Sequence, residues 1–293
     1  MGRAVISLIV NPSAGGGRAR KVLPAVEARL KSLGLEHHTE FTRDLGHAQD
    51  LARSAAMAGE PAVVLSGDGL LGAVAHVLRS HPGAVMGVLP GGRGNDFARV
   101  AGIPMDAEDA CEVIANGVAR PIDLGDVDGA TFIGIASLGF DSDANRIANE
   151  APPRLGSLVY TYGALRALAF WKHAAYEVVV DGEAHSFSGW SVACANSKAY
   201  GGGMFLAPDA DLHDGVLDVV FCEATSKARF LQLLPSIFKG EHVKDPHVHV
   251  LRGAEVRISS DRPFTVYADG DPIAELPCTV RAIRDAVKVL LPA

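Results

Sequence analysis

A carboxylate set between glycines, Ser66-Gly67-Asp68-Gly69, follows the apolar run Ala62–Leu65 and precedes Leu70–Leu78, which reads as a helix. A buried strand that passes through glycines to a helix N-terminus leaves backbone N–H groups able to cradle phosphate, with an acid beside them. Asp-Gly is also an ordinary turn pair, so the triplet alone does not separate a phosphate site from a plain turn. Two further turns of the same kind tip the balance. The run Val5–Val10 ends in Asn11-Pro12-Ser13-Ala14-Gly15-Gly16-Gly17 before the helical segment Arg18–Leu33. Ala84–Leu89 ends in Pro90-Gly91-Gly92-Arg93-Gly94-Asn95-Asp96-Phe97 and a helix start. Strand, Gly-rich turn and helix repeated in this way predict parallel strands whose carboxyl ends converge on one crevice. The chemistry suggested is phosphoryl transfer.

Behind these turns the pattern predicts an α/β unit that ends near Asp123-Leu124-Gly125, after a helix over Ala107–Asn116. Beyond it, Thr131–Ser137, Glu177–Val180, Ser188–Ala195, Val216–Phe221, Ala254–Ser259 and Phe264–Tyr267 read as strands. Helical insertions are expected at Leu158–Trp171 and Lys227–Phe238, and a short strand at Val287–Leu291. The second unit is therefore a mainly antiparallel β domain.

Composition narrows the function. The 293 residues are 48% hydrophobic and 21% charged, which is globular and enough for one large or two ordinary domains. A net charge of −7 argues against nucleic acid as the main partner. Cys111, Cys194, Cys222 and Cys278 are too scattered for a zinc site or a disulfide framework and read as buried reduced thiols of a cytoplasmic protein. No run approaches a membrane span, and a signal peptide is not expected before the first turn. His242, His247 and His249 read as packed or exposed side chains, not a metal cluster.

The Asn-Pro-Ser-Ala-Gly opening, the Ser-Gly-Asp-Gly-Leu turn and the Leu-Pro-Gly-Gly-Arg-Gly-Asn-Asp-Phe-Ala segment together resemble the diacylglycerol kinase catalytic family. That family includes bacterial soluble diacylglycerol kinases, YegS-like lipid kinases and eukaryotic sphingosine and ceramide kinases. The resemblance implies an N-terminal three-layer α/β domain over 1–125, rejoined by 283–293, and a C-terminal β-sandwich over 126–282, as in NAD kinases and diacylglycerol kinases. It implies an ATP-dependent lipid kinase using Mg²⁺, with a lipid substrate met at a membrane surface. The protein would then be cytoplasmic or peripheral at the inner face of the membrane; a homodimer stays open, since no interface pattern is readable. A NAD kinase-like enzyme shares the Gly-Asp-Gly turn and is the alternative, as is a catalytically weak nucleotide- or lipid-binding protein.

Residue by residue, the resemblance places nucleotide contacts at Asn11, Gly15, Gly16, Gly17, Thr42, Ser66, Gly67, Asp68, Gly69, Leu70, Arg93, Gly94 and Asn95. Asp68, Asp96 and Asp123 would form a carboxylate network near a catalytic Mg²⁺. Asp269-Gly270-Asp271 matches the family's Asp-Gly-Glu, one acid of which is the proposed general base; a hairpin turn is its plain alternative. Asp214-Gly215-Val216-Leu217 matches a motif in which a structural Mg²⁺ is held by the Asp214 side chain and the carbonyls of Asp211 and Val216. The chain departs from the family at Leu70, where a hydroxyl is usual, at Gly72 and Ala73, where Asn or His and then Glu are usual, and at Arg93, usually Thr or Ser. Arg93 would grip a phosphate through its guanidinium fork or block the nucleotide site. Tyr160, Tyr162, Phe170 and Trp171, flanked by Arg154, Arg166 and Lys172, read as core packing or as a lipid-access surface.

Overall fold

The computed structural model describes residues 5–151 and 159–293. The apolar runs of the first half are strands covered on both faces. β1 (Ile6–Val10) and β3 (Ala62–Ser66) are buried throughout, and β4 (Val85–Pro90) at all but its first residue. Such strands need helices on either side, the usual arrangement of a parallel sheet. The helices are α1 (Arg18–Ser32), α2 (Leu45–Ala58), α3 (Asp68–Leu78), α4 (Asp96–Val100) and α5 (Ala107–Asn116). β2 (His37–Phe41) is polar and largely exposed, a composition suited to the sheet edge that it forms. The parallel order is β2-β1-β3-β4. The chain thus leaves β1 to one side and returns to its other side as β3. At such a reversal the loops after the strands diverge and open a crevice, which here lies beneath the Gly-rich turns.

The second half is antiparallel in every pairing within it. Its strands are β5 (Val118–Val127), β6 (Ala130–Phe132), β7 (Ile135–Gly139), β8 (Ala174–Val180), β9 (Glu183–Ala195), β10 (Leu217–Glu223), β11 (Val248–Gly253), β12 (Glu255–Ser260), β13 (Thr265–Ala268), β14 (Asp271–Glu275) and β15 (Cys278–Leu291). They carry α6 (Phe140–Asn149), α7 (Val159–Phe170) and α8 (Lys227–Ile237) and enclose a hydrophobic cluster separate from that of the first half. Trp190, fully buried, stacks on Phe230 at 3.9 Å between ring centroids, with Phe140 edge-on at 5.7 Å. The expected combination of an α/β unit and an antiparallel β unit is the observed one.

The segment expected as one strand over Thr131–Ser137 is divided into β6 and β7. The N–H groups of Ile133, Gly134 and Ile135 donate to the Asp269 carboxylate instead of continuing a ladder. Asp123 to Gly125 lie within β5, and the short strand expected at Val287–Leu291 is the end of the fourteen-residue β15. β15 pairs with β12 at Cys278 to Arg281 and runs parallel to β4 at Lys288 and Val289, while β5 follows it antiparallel through both stretches. One strand pair therefore continues from one half of the molecule into the other.

Candidate active site

The three Gly-rich turns interlock at the carboxyl ends of β1, β3 and β4. Gly91 and Gly92 N–H both donate to Ser66 O, at 2.8 and 3.1 Å. A Cβ on Gly92 would lie 2.6 Å from the Gly67 Cα, so only bare backbones can meet there. Gly15, at φ 60°, packs against the Gly91 carbonyl in the same way. Gly16 and Gly17 continue at positive φ with open space where a Cβ would lie, their N–H groups donating back to Ser13 O and Ala14 O, and lead into the start of α1. Asn11 Oδ1 accepts from Ser13 N–H and tightens this turn. Asn95 does the same for the third: it is buried at φ 52°, its Oδ1 accepts from Gly92 N–H and its Nδ2 donates to Gly92 O. Both amide atoms of Asn95 are therefore spent on the turn.

Asp68 opens α3 and spans to the neighbouring turn. Its Oδ2 accepts from Asp96 N–H and its Oδ1 from Phe97 N–H, each at 3.0 Å, so the carboxylate caps the first turn of α4. Burial pushes the Asp68 carboxyl up; the two N–H donations oppose this and the Asp96 charge adds to it. Asp96 is buried in turn, and its Oδ2 accepts from Gly202 N–H of the second half at 2.7 Å. Its Oδ1 is buried with no hydrogen-bond partner.

The β13–β14 hairpin closes the crevice from the other side. Asp269, at φ 52°, is held by the N–H groups of Ile133, Gly134 and Ile135. Asp271 is exposed, its carboxylate makes no hydrogen bond among the described residues, and it abuts α3: a Cβ on Gly69 would fall 2.6 Å from its Oδ2. The two acids of one hairpin thus differ, one anchored by three donors and one free to accept.

Family models match both halves: the diacylglycerol kinase catalytic domain over residues 5–127, and the YegS C-terminal NAD kinase beta sandwich-like domain over 134–291. The chain belongs to the diacylglycerol kinase family. A diacylglycerol kinase of Mycobacterium tuberculosis (strain CDC 1551 / Oshkosh) is 32% identical across 98% of this chain and 95% of the relative. One of Bacillus subtilis (strain 168) is 29% identical across 97% and 95%. A crystal structure of a diacylglycerol kinase from Bacillus anthracis str. Sterne superposes with a TM-score of 0.74 at 19% identity, covering 99% of this chain and 97% of that one. As a member of the diacylglycerol kinase family the protein is a lipid kinase, and kinase membership implies ATP as its phosphoryl donor. No observation favours the NAD kinase alternative.

Among the departures from the diacylglycerol kinase pattern on α3, Gly72 faces the hairpin, with a Cβ position in ordinary contact 3.5 Å from Asp269 Oδ2, and nothing in the structure explains Ala73. Leu70, expected against the nucleotide, is buried in the first hydrophobic cluster. Arg93 is exposed on the third turn with no ion pair among the described residues, beside Gly94. Thr42 is buried after β2, its N–H donating to Val10 O.

The acidic residues expected around metals fall into separate places. Asp68 and Asp96 adjoin, and the orphaned Asp96 Oδ1 is a hard oxygen donor that fits a Mg²⁺ ion. Asp123 is fully buried at the junction of the two halves, accepting from Gly215 N–H at 2.6 Å and Asp285 N–H at 2.7 Å. Its bonds run to the Asp214 loop and β15, not to Asp68. The Asp214 carboxylate pairs with Arg252 and accepts from Val216 N–H, and Asp211 Oδ1 accepts from His213 N–H. In this structure the Asp214 carboxylate faces the Arg252 guanidinium, and no step is assigned to a metal at this loop. Among the described residues no group of three or more His, Cys, Asp or Glu is gathered for a metal. His242 bonds Leu206 O, His247 bonds Asp245 and His249 stacks on Phe221.

Burial pushes the Asp269 carboxyl up to about 7, against the Ile133 donation and reinforced by the Asp68 charge. In the unfolded chain the same group loses its proton near pH 4. The folded state therefore holds a proton that the unfolded state has released, and stability falls as pH rises from about 4 to about 7 and levels off above. Thermal melts across pH 4 to 8 are expected to show this slope in the parent and a shallower one in Asp269→Asn; equal slopes would contradict the assignment.

Proposed function

We propose that the protein transfers the γ-phosphoryl group of ATP to a hydroxyl of diacylglycerol or a related long-chain lipid. The observation that carries this reading is Asp271, a free carboxylate from the β half set against α3 beside the Asp68 turn. In this reading residues 1–125 with 283–293 hold the nucleotide and 126–282 the acceptor. The N–H groups of Gly15, of the first turn of α1 and of Arg93 and Gly94 bind phosphate, with the Arg93 side chain supplying charge from the rim. Asp96 and Asp68 would hold Mg²⁺, which when bound neutralises phosphate charge and fixes its oxygens. Asp271 takes the proton from the acceptor hydroxyl, and Asp269 holds the hairpin that presents it.

A lipid acceptor has to be reached at a membrane surface. No helix among the described residues is long and apolar enough to cross one. On α7, Tyr162, Leu165 and Phe170 are exposed, Phe170 at 80%, beside the exposed Arg166 and Lys172, a mixture suited to an anionic interface. Trp171 is buried in the core instead. Pro152, Pro153, Arg154 and the Tyr160 side chain lie outside the described residues.

The test is labelled ATP offered with diacylglycerol, sphingosine, ceramide, phosphatidylglycerol and NAD. Label is expected in a phosphorylated lipid, diacylglycerol foremost. Label confined to NADP, or tight ADP binding with no labelled product, would overturn the reading.

A further inference from the structure

A second run of three glycines, Gly201-Gly202-Gly203, lies between β9 and β10 with φ of 62°, 85° and 109°. Its ends are tied together, since Tyr200 and Met204 exchange both backbone hydrogen bonds at 3.0 Å. Its tip reaches across to the first half, where Gly202 N–H donates to Asp96 Oδ2. A carboxylate is free to turn about its terminal torsion, and this single N–H selects which oxygen faces protein and which remains available. The available one is Oδ1, buried without a hydrogen-bond partner and in a long ion pair, 3.8 Å, with Arg99 Nε. Behind the loop, the Tyr200 hydroxyl donates to Asp141 Oδ2 at 3.3 Å, next to the start of α6. Burial raises both groups, Asp141 to about 6 and Tyr200 well above the usual phenol range, so Tyr200 remains a donor.

We infer that Tyr200 and Gly202 are positioning residues for phosphoryl transfer: the Asp141–Tyr200 pair braces the triple-glycine loop, and the loop tip holds Asp96 by Oδ2, so that Oδ1 would be left to a bound Mg²⁺. This rests on the reading that Asp96 contributes to the Mg²⁺ site. Oriented donors in a partly closed site act by fixing geometry before the reaction, so loosening the brace affects metal affinity and turnover more than nucleotide affinity. It also ties the acceptor half to the nucleotide half through a contact that no single domain could make.

The experiment uses the full chain and Mn²⁺ as the probe, titrated in the presence of ADP and followed by the spin resonance of free Mn²⁺, alongside steady-state kinetics. Tyr200→Phe is expected to bind Mn²⁺ about tenfold more weakly and to lose about tenfold in kcat, the scale of one oriented hydrogen bond, with metal-free ADP affinity held within about twofold. Asp141→Ala, which strands the phenol, is a second route to the same loss, whereas Asp141→Asn keeps an acceptor and is expected to stay within about threefold of the parent. Asp96→Asn is the reference. Parent-like Mn²⁺ affinity in both Tyr200→Phe and Asp141→Ala, with Asp96→Asn weakened, overturns the inference alone. Parent-like affinity in Asp96→Asn overturns the metal reading beneath it.

Discussion

Asp68→Asn is expected to lower turnover by about 10³-fold with the fold retained, the scale seen when a group preorganised around a transition state is removed. The substitution keeps one oxygen to accept from Asp96 or Phe97 N–H but takes away the charge and the second acceptor. Asp68→Ala removes both acceptors and leaves two helix N-terminal donors without partners, a further cost of about 1–3 kcal/mol in stability. Comparing the two variants separates chemistry from folding. Thermal melts should place Asp68→Asn, which leaves one of the two N–H groups unpaired, between the parent and Asp68→Ala, with both nearly inactive. Turnover in Asp68→Asn within a few-fold of the parent would remove this carboxylate from the reaction.

The second large effect is expected at Asp271. Loss of a positioned general base costs about 10²–10⁴ in rate, so Asp271→Asn should fall by that range with the KM for ATP unchanged. Asp271 is exposed as a residue, but its carboxyl end lies against α3 at Gly69, and this local desolvation raises it from its usual value. A base works only when deprotonated, so the parent rate should rise with pH through that raised pKa and then level. The variant should be low and flat over the same interval. Asp269→Asn should behave differently, because Asp269 is occupied by three N–H donors of the Ile133–Ile135 segment and its loss loosens the hairpin. A rate loss in Asp269→Asn larger than in Asp271→Asn, with the fold intact, would exchange the two roles.

The parts of this site that local sequence announces are the Gly-rich turns, because each requires positive φ or backbone contact that only glycine permits, as at Gly15, Gly67 and Gly92. Strands β1, β3 and β4 were legible for a similar reason, since burial on both faces leaves an uninterrupted apolar run. What depends on distant partners was not. Asp123 resembles a metal-network acid, yet its oxygens are claimed by Gly215 and Asp285, 92 and 162 residues away. Asn95 resembles a ligand contact, and both of its amide atoms also bond within its own turn. β5 passes from an exposed stretch at Val118–Pro121 to a buried one at Ile122–Val127, so neither a period of two nor a continuous apolar run marks it. Gly201-Gly202-Gly203 carried a plain signal, three consecutive glycines, but its purpose lies in Asp96 of the other half.

The most direct measurement is a crystal structure with ADP and Mn²⁺, with the metal located by anomalous scattering. The phosphates are expected against Gly15–Gly17 and the Gly92–Gly94 turn, with Mn²⁺ coordinated by Asp96 Oδ1 and Asp271 facing the open end of the phosphate chain. Nucleotide bound elsewhere, or Mn²⁺ seated on Asp214 with none at Asp96, would contradict it.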